Sequence, residues 1–153
     1  MRTYQLQTQL WLPRSQKEVF DFFAEPKNLE RLTPPWLRFE IITPDPIQMK
    51  TGTRLNYRLR LHGFPMRWES EISLWDPPKR FVDRQTRGPY TLWLHEHNFS
   101  EQNNGTLVQD SVRYASVGGK LFEKFFIAPD LRKIFRYRHE VLQELFNPNQ
   151  IKK

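Results

Sequence analysis

Residues 54–62, with the sequence RLNYRLRLH, decide the fold. Large apolar side chains at Leu55, Tyr57, Leu59 and Leu61 alternate with polar ones throughout this stretch. Side chains alternate between the two faces of a β-strand, so the pattern predicts a strand with one buried and one solvated face. The turn at residues 63–65 then leads into another alternating stretch, 66–75, which indicates an antiparallel pair.

The same period of two residues extends over most of the chain on both sides of this pair. On the C-terminal side, the turn signal Asp76-Pro77-Pro78-Lys79 is followed by predicted strands at 81–87, 90–99 and 106–115. On the N-terminal side, residues 2–12 and 37–42 alternate in the same way. The sequence therefore predicts seven strands, whose spacing of about 8–12 residues favours a meandering antiparallel sheet.

Helical signals interrupt and follow these strands. Ser15 and Glu18 have capping-box spacing and precede a short apolar helix, and residues 28–32 predict a second short helix. Residues 129–146 place apolar side chains at helical spacing and predict one long C-terminal helix. The fold class is therefore α+β, with a curved seven-stranded antiparallel sheet around the long helix and two short helices after the first strand. A ligand cavity is expected between sheet and helix.

The composition indicates one folded domain. The chain has 153 residues and no cysteine, and no run of about 18 apolar residues could span a membrane. We expect a single domain at residues 1–147, a short basic tail at 148–153, and no disulfide or thiolate site. The N-terminus lacks the apolar core of a signal peptide, so a soluble cytoplasmic protein is expected.

The positive charge is concentrated near the C-terminus. The net charge is +7, and from Arg113 onward nine basic side chains, including Lys120, Lys124 and Arg138, stand against four acidic ones. Such a face aids solubility and would also make a weak contact with an anionic membrane surface. Nucleic-acid-binding proteins show a denser basic stripe with exposed aromatic side chains, so no nucleic-acid partner is expected.

The predicted strand 90–99 carries the candidate site. Trp93, His95, His97 and Phe99 share one face of that strand. If it lies in register between its two neighbours, one polar cluster would form from Asp83, Gln85, His95, His97, Asp110 and Tyr114. A slip of one residue would reverse every face, and the sequence does not fix the register.

The same region resembles the START/Bet v 1-type (SRPBCC) superfamily, in particular a bacterial subgroup of cyclase/dehydrase-like ligand-binding proteins. The residues that carry the resemblance are Phe81–Gln85, Gly88–Tyr90, Trp93–His97, Phe99, Gly105-Thr106, Asp110, Tyr114, Tyr137-Arg138 and Thr33–Leu37. The resemblance covers essentially the whole chain and implies the helix-grip fold with a hydrophobic-ligand cavity. It implies no particular reaction, because one fold supports many functions.

Four roles are open for the cluster. It would be structural, with carboxylates holding the histidines, or it would orient the carbonyl or hydroxyl group of a ligand. It would alternatively perform acid–base catalysis through His95 or His97, tuned by Asp83 or Asp110. Fourth, a His-x-His pair with a carboxylate would bind a metal, but without a clear third ligand we predict no metal site and no cofactor.

The function expected from these observations is the binding of a small hydrophobic or amphipathic molecule, such as a lipid, polyketide, quinone or isoprenoid-like compound. The candidate ligand-binding residues are Tyr57, Leu59, Asp83, Gln85, Trp93, His95, His97, Phe99, Asp110, Tyr114, Phe122 and Phe126. The alternatives are an enzyme of cyclase, dehydratase or isomerase type, and a peripheral membrane or partner-binding module. Either a monomer or a dimer fits the sequence.

Overall fold

A computed structural model of the protein describes residues 1–147. Within them, seven strands form one antiparallel sheet in the order β1-β7-β6-β5-β4-β3-β2. The strands are β1 Tyr4–Leu12, β2 Glu40–Ile41, β3 Arg54–Leu61, β4 Phe64–Asp76, β5 Arg80–Arg87, β6 Leu92–Gln102 and β7 Gly105–Ala115. The predicted fold class is confirmed, while the expected tail at 148–153 lies outside the described residues.

Helical segments follow the first strand and the last strand of the chain. The helices are α1 Gln16–Ala24, α2 Lys27–Leu32, a 3-10 turn Pro35–Leu37, α3 Gly119–Phe122, a π-helical turn Glu123–Ile127 and α4 Ala128–Phe146. Ser15 caps α1 by accepting a hydrogen bond from the Glu18 amide, as its spacing predicts. No helix among residues 1–147 is both long and apolar enough to cross a membrane.

The second strand is much shorter than its sequence pattern predicts. The expected strand at 37–42 is reduced to Glu40–Ile41, because Leu37 ends the 3-10 turn and Arg38 has a positive φ of 46°. A residue in this left-handed conformation cannot continue a strand. Leu37 and Phe39, on either side of this turn residue, both line the interior.

The core fills one end of the space between sheet and α4 more completely than the other. Phe20 of α1 packs against the rings of Trp75, Phe81 and Phe99, and Phe146 closes the same cluster. Towards the start of α4 and along β3, the buried side chains form separate smaller clusters. The space between these clusters contains the candidate site.

Candidate functional site

An apolar cavity lies between the inner face of the sheet and α4. Its volume is about 180 Å³, and strands β3–β6, helix α2 and helix α4 contribute its walls. Most of the lining is aliphatic and aromatic side chains, among them Leu55, Tyr57, Leu59, Trp68, Ile134 and Phe135. The acidic and basic side chains that reach it are Asp83, His95, His97 and Arg138.

Half of the side chains proposed from the sequence line this cavity. Those that do are Tyr57, Leu59, Asp83, Trp93, His95 and His97. Those that do not are Gln85, Phe99, Asp110, Tyr114, Phe122 and Phe126. Among the latter, Asp110 lies directly behind the cavity wall, where it contacts both histidines.

The other outlying side chains have specific partners of their own. The Gln85 side-chain amide donates to the Tyr90 carbonyl oxygen at 2.7 Å and accepts from the Tyr90 amide at 3.2 Å, so it supports the turn between β5 and β6. Phe99 is buried in the core against Phe20 and Phe23. These residues therefore stabilise the fold around the cavity.

Two histidine–aspartate hydrogen bonds form the polar centre of the site. The strand register places His95 opposite Asp83 and His97 opposite Asp110. The short bonds nevertheless run diagonally: His95 Nε2 lies 2.7 Å from Asp110 Oδ1, and His97 Nε2 lies 2.7 Å from Asp83 Oδ2. The two Nδ1 atoms lie farther away, at 3.9 Å from Asp83 for His95 and 3.5 Å from Asp110 for His97. Each carboxylate thus faces both rings and bonds closely to one.

Ring stacking fixes the orientation of the imidazoles. The His95 and His97 rings stack with their centroids 3.6 Å apart at an interplanar angle of 25°. Phe81 stacks on the other face of His97 at 4.1 Å and 14°. His97 is therefore held between two rings, and its Nδ1 atom is buried without a hydrogen-bond partner among the described residues.

The electrostatics of the cluster follow from burial and from mutual contacts. Burial lowers the pKa of His97 to about 4, with the His95 charge acting in the same direction and Asp83 opposing it. Burial by itself would raise the pKa of Asp110, but Arg138 and the bond from His95 outweigh it and bring that pKa below its ordinary value. Asp83 also has a lowered pKa, because its bond from His97 and the nearby positive groups outweigh its burial.

These directions fix the protonation states at neutral pH. Both carboxylates are ionised, and an ionised carboxylate only accepts hydrogen bonds. The neutral His97 ring must therefore carry its proton on Nε2, where it donates to Asp83. Its Nδ1 atom then presents a lone pair rather than a proton.

Arg138 is a further member of the site that the sequence analysis misplaced. The charge pattern predicts it on the basic surface near the C-terminus, but only 7% of it is exposed, and its side chain lines the cavity. The available signal was its position in the apolar stripe of α4, three residues after Phe135 and four before Leu142. A charged side chain at a buried position of such a stripe indicates a role in binding or in the structure of the core.

The cluster also contains a group with metal-binding residue types. Asp83, His95 and His97 offer one ligand atom each, and these atoms all lie within 4.8 Å of one another. No other group of this kind is found among residues 1–147. A metal ion would have to break the bond between His97 and Asp83, and the stacked imidazoles turn their faces toward each other. The arrangement is that of two hydrogen-bonded pairs, and we assign no metal to it.

A second notable surface lies outside the cavity. Leu121, Phe122, Phe125 and Phe126, just before α4, are exposed to extents of 44–70%. We call residues 121–126 the exposed aromatic segment. A buried bond fixes it, because the Tyr114 hydroxyl donates to Glu123 Oε1 at 2.7 Å.

Comparisons with known proteins agree with this architecture. The family model described as polyketide cyclase / dehydrase and lipid transport matches residues 12–136. Protein CV1439 from Chromobacterium violaceum has a TM-score of 0.74 at 11% identity, with 94% of this chain and 97% of that chain covered. The ginseng major latex-like protein 151 from Panax ginseng has a TM-score of 0.70 at 14% identity, with coverage of 95% and 99%. No curated protein sequence matches the chain.

Proposed function

Because the chain belongs to the polyketide cyclase / dehydrase and lipid transport family, we propose that it binds a small apolar or amphipathic molecule in the cavity between the sheet and α4. Candidate ligands are lipids, polyketides, quinones and isoprenoid-like compounds. The observation that carries the proposal is the cavity itself, which combines apolar walls with a small group of buried ionisable side chains. Binding sites for small molecules typically have this composition.

The size of the cavity limits what enters without rearrangement. An engineered protein cavity of about 150 Å³ lined by apolar side chains binds benzene. The 180 Å³ found here therefore accepts one ring or a short branched chain. A longer ligand would have to displace side chains of the lining, such as Leu37 and Phe39.

The apolar walls and the polar cluster have different roles in this proposal. Burial of apolar surface stabilises the complex by about 25 cal/mol per Å², before the entropic costs of binding. Asp83, His95 and Arg138 orient the polar end of the ligand, because a buried polar group without a partner is costly. Selectivity therefore comes from the polar side chains and affinity from the walls.

The protonation state of His97 favours ligand binding without turnover over catalysis. A general acid or base works best when its pKa lies near the working pH. The pKa of about 4 makes His97 a weak base, and its Nε2 proton is already donated to Asp83. Turnover of a substrate by the unaltered protein that is lost in His95→Ala or His97→Ala, with the fold intact, would support the enzyme alternative instead.

The cavity can be tested by filling it. We expect Ile134→Trp, which places a larger ring on the cavity side of α4, to abolish uptake of an apolar fluorescent dye. Lys133→Trp is the matched control, because this neighbouring side chain is exposed and should leave uptake unchanged. Native mass spectrometry of the freshly purified protein would identify any molecule already bound. Uptake that is equal in both variants would contradict a cavity site.

The exposed aromatic segment favours a second function, a peripheral contact with anionic membranes. Leu121 and Phe125, like Phe122 and Phe126, are four residues apart and so lie on one side of the helical segment. Lys120 and Lys124 flank them, which suits a surface that combines apolar chains with negative headgroups. This face would place the protein where apolar ligands are dissolved.

Vesicle binding tests the second function. The protein should co-sediment with vesicles of phosphatidylcholine and phosphatidylserine at low salt, and more weakly at high salt because charges are screened. The double variant Phe125→Ser, Phe126→Ser should lose this binding. Trp36→Ser removes an aromatic side chain of similar exposure outside the segment and is the control. Equal binding by both variants, or none at low salt, would refute the membrane contact.

A further inference from the structure

Arg138 stands out among the charged side chains of the cavity because it lacks a close partner. It lies on the inner face of α4 and is 93% buried, as its 7% exposure shows. Among residues 1–147, no carboxylate oxygen lies within 4.0 Å of its guanidinium, and its buried Nε atom has no hydrogen-bond partner. An arginine carries donors only, so this side chain brings an unpaired donor to the wall of the cavity that it lines.

Aromatic rings hold the guanidinium in place. Its carbon centre lies 5.5 Å from the centroid of the Phe23 ring and 5.7 Å from that of Phe135. Contacts of this kind stabilise the cation without using its in-plane N–H groups. The side chain is therefore oriented while its hydrogen-bonding capacity stays available. Buried charges in proteins are normally both paired and hydrogen-bonded, so a missing acceptor is indicated.

The charges around Arg138 determine which acceptor fits. Asp83 and Asp110 are both ionised at neutral pH, and the Arg138 charge acts on each of them from beyond contact distance. His97 is neutral there. A ligand carboxylate would bring a third negative charge beside these two aspartates, whereas a neutral oxygen would accept the hydrogen bond without that repulsion.

We propose that the ligand of this cavity carries a neutral carbonyl group, as in a ketone, ester or quinone, whose oxygen accepts hydrogen bonds from Arg138 while its apolar part occupies the cavity. The inference rests on the ligand-binding function proposed above and adds the chemical class of the ligand. Geometry carries it: a guanidinium with no carboxylate in contact, in reach of two aromatic rings, lines an apolar space of about 180 Å³.

Three single-ring probes of similar size test the proposal by isothermal titration calorimetry. They are acetophenone, with a neutral carbonyl; ethylbenzene, with no polar group; and benzoate, with a carboxylate. A hydrogen bond from a charged donor favours acetophenone over ethylbenzene by about tenfold to a hundredfold in Kd. Benzoate should bind more weakly than acetophenone. The variant Arg138→Met, which keeps the apolar stem, should bind the first two probes equally.

The control and the outcomes separate this inference from the proposed function. Arg136→Met changes an exposed arginine two residues away and should preserve the preference for acetophenone. If ethylbenzene binds the unaltered protein as tightly as acetophenone, or benzoate binds tightest, the carbonyl assignment fails while the cavity function stands. If none of the three probes binds, the proposed function itself fails and the assignment with it.

A spectroscopic measurement keeps the test open if Arg138→Met does not fold. The carbonyl stretching frequency of acetophenone falls when its oxygen accepts a hydrogen bond. Infrared spectra of carbonyl-labelled acetophenone bound to the unaltered protein should show a lower frequency than the same molecule in an alkane solvent. A bound carbonyl with the alkane frequency would overturn the assignment.

Discussion

Removing the Asp110 carboxylate should destabilise the protein strongly. Asp110 is 4% exposed, and it accepts a hydrogen bond from His95 Nε2 at 2.7 Å. The variant Asp110→Ala leaves that buried ring nitrogen without its acceptor and removes a negative charge that balances Arg138. Breaking a buried pair by removal of one partner costs about 3–5 kcal/mol. For a chain of this length, that corresponds to a fall in Tm of about 6–20 °C.

Equilibrium unfolding in urea, followed by circular dichroism, measures this free energy. Asp110→Asn keeps an acceptor oxygen and loses only the charge, so it should cost less than Asp110→Ala. Asp21→Ala is the matched control, because Asp21 is exposed and pairs with Lys17 on the surface of α1. Such a pair contributes about 0–1 kcal/mol. If Asp110→Ala and Asp21→Ala unfolded at the same urea concentration with equal slopes, the buried pair would not exist in the folded protein.

Three further changes have definite expected results. The folded-state pKa of His97 is about 4, below its usual value near 6.5, so the unfolded chain binds more protons between these values. The contribution of His97 to the free energy of unfolding should therefore fall by about 3 kcal/mol from pH 7 to pH 4, and urea unfolding should show a smaller fall for His97→Gln than for the unaltered protein. Leu142→Ala, at a position 1% exposed, should cost about 2–5 kcal/mol in urea unfolding. Gly118→Ala should lower Tm, because Gly118 has a φ of 109° and an added Cβ would lie 2.7 Å from the Phe122 ring. An unchanged Tm would contradict this backbone conformation at Gly118.

The period-two alternation is what makes most of this fold predictable from sequence. In β6, apolar or aromatic side chains recur at every second residue, and the structure places Trp93, His95, His97 and Phe99 on the buried face. The turn signals fix where each strand ends. The alternation at 37–42 misleads, because local turn geometry at Arg38 outweighs the strand preference of its neighbours.

The site is only partly accessible to such reasoning. The structure joins Asp83, His95, His97 and Asp110, but the ladder between β5 and β6 pairs no residue beyond Arg84, so Gln85 turns to the backbone of the connecting loop. The diagonal partners also depend on side-chain rotamers, which alternation does not specify. The site role of Arg138 is not predicted, because the apolar residues that surround it in the sequence identify a buried helix face without indicating a charged group on it.

The position of Arg138 links the stability of the fold to the occupancy of the cavity. Its charge lowers the pKa of Asp110 and Asp83, so it acts on these groups whether or not a ligand is bound. Its buried Nε–H group nevertheless has no acceptor among the described residues. A neutral acceptor from a ligand would satisfy this donor without withdrawing the charge from the two aspartates. Since such a ligand binds the folded state alone, its binding should stabilise the fold in proportion to the logarithm of its concentration.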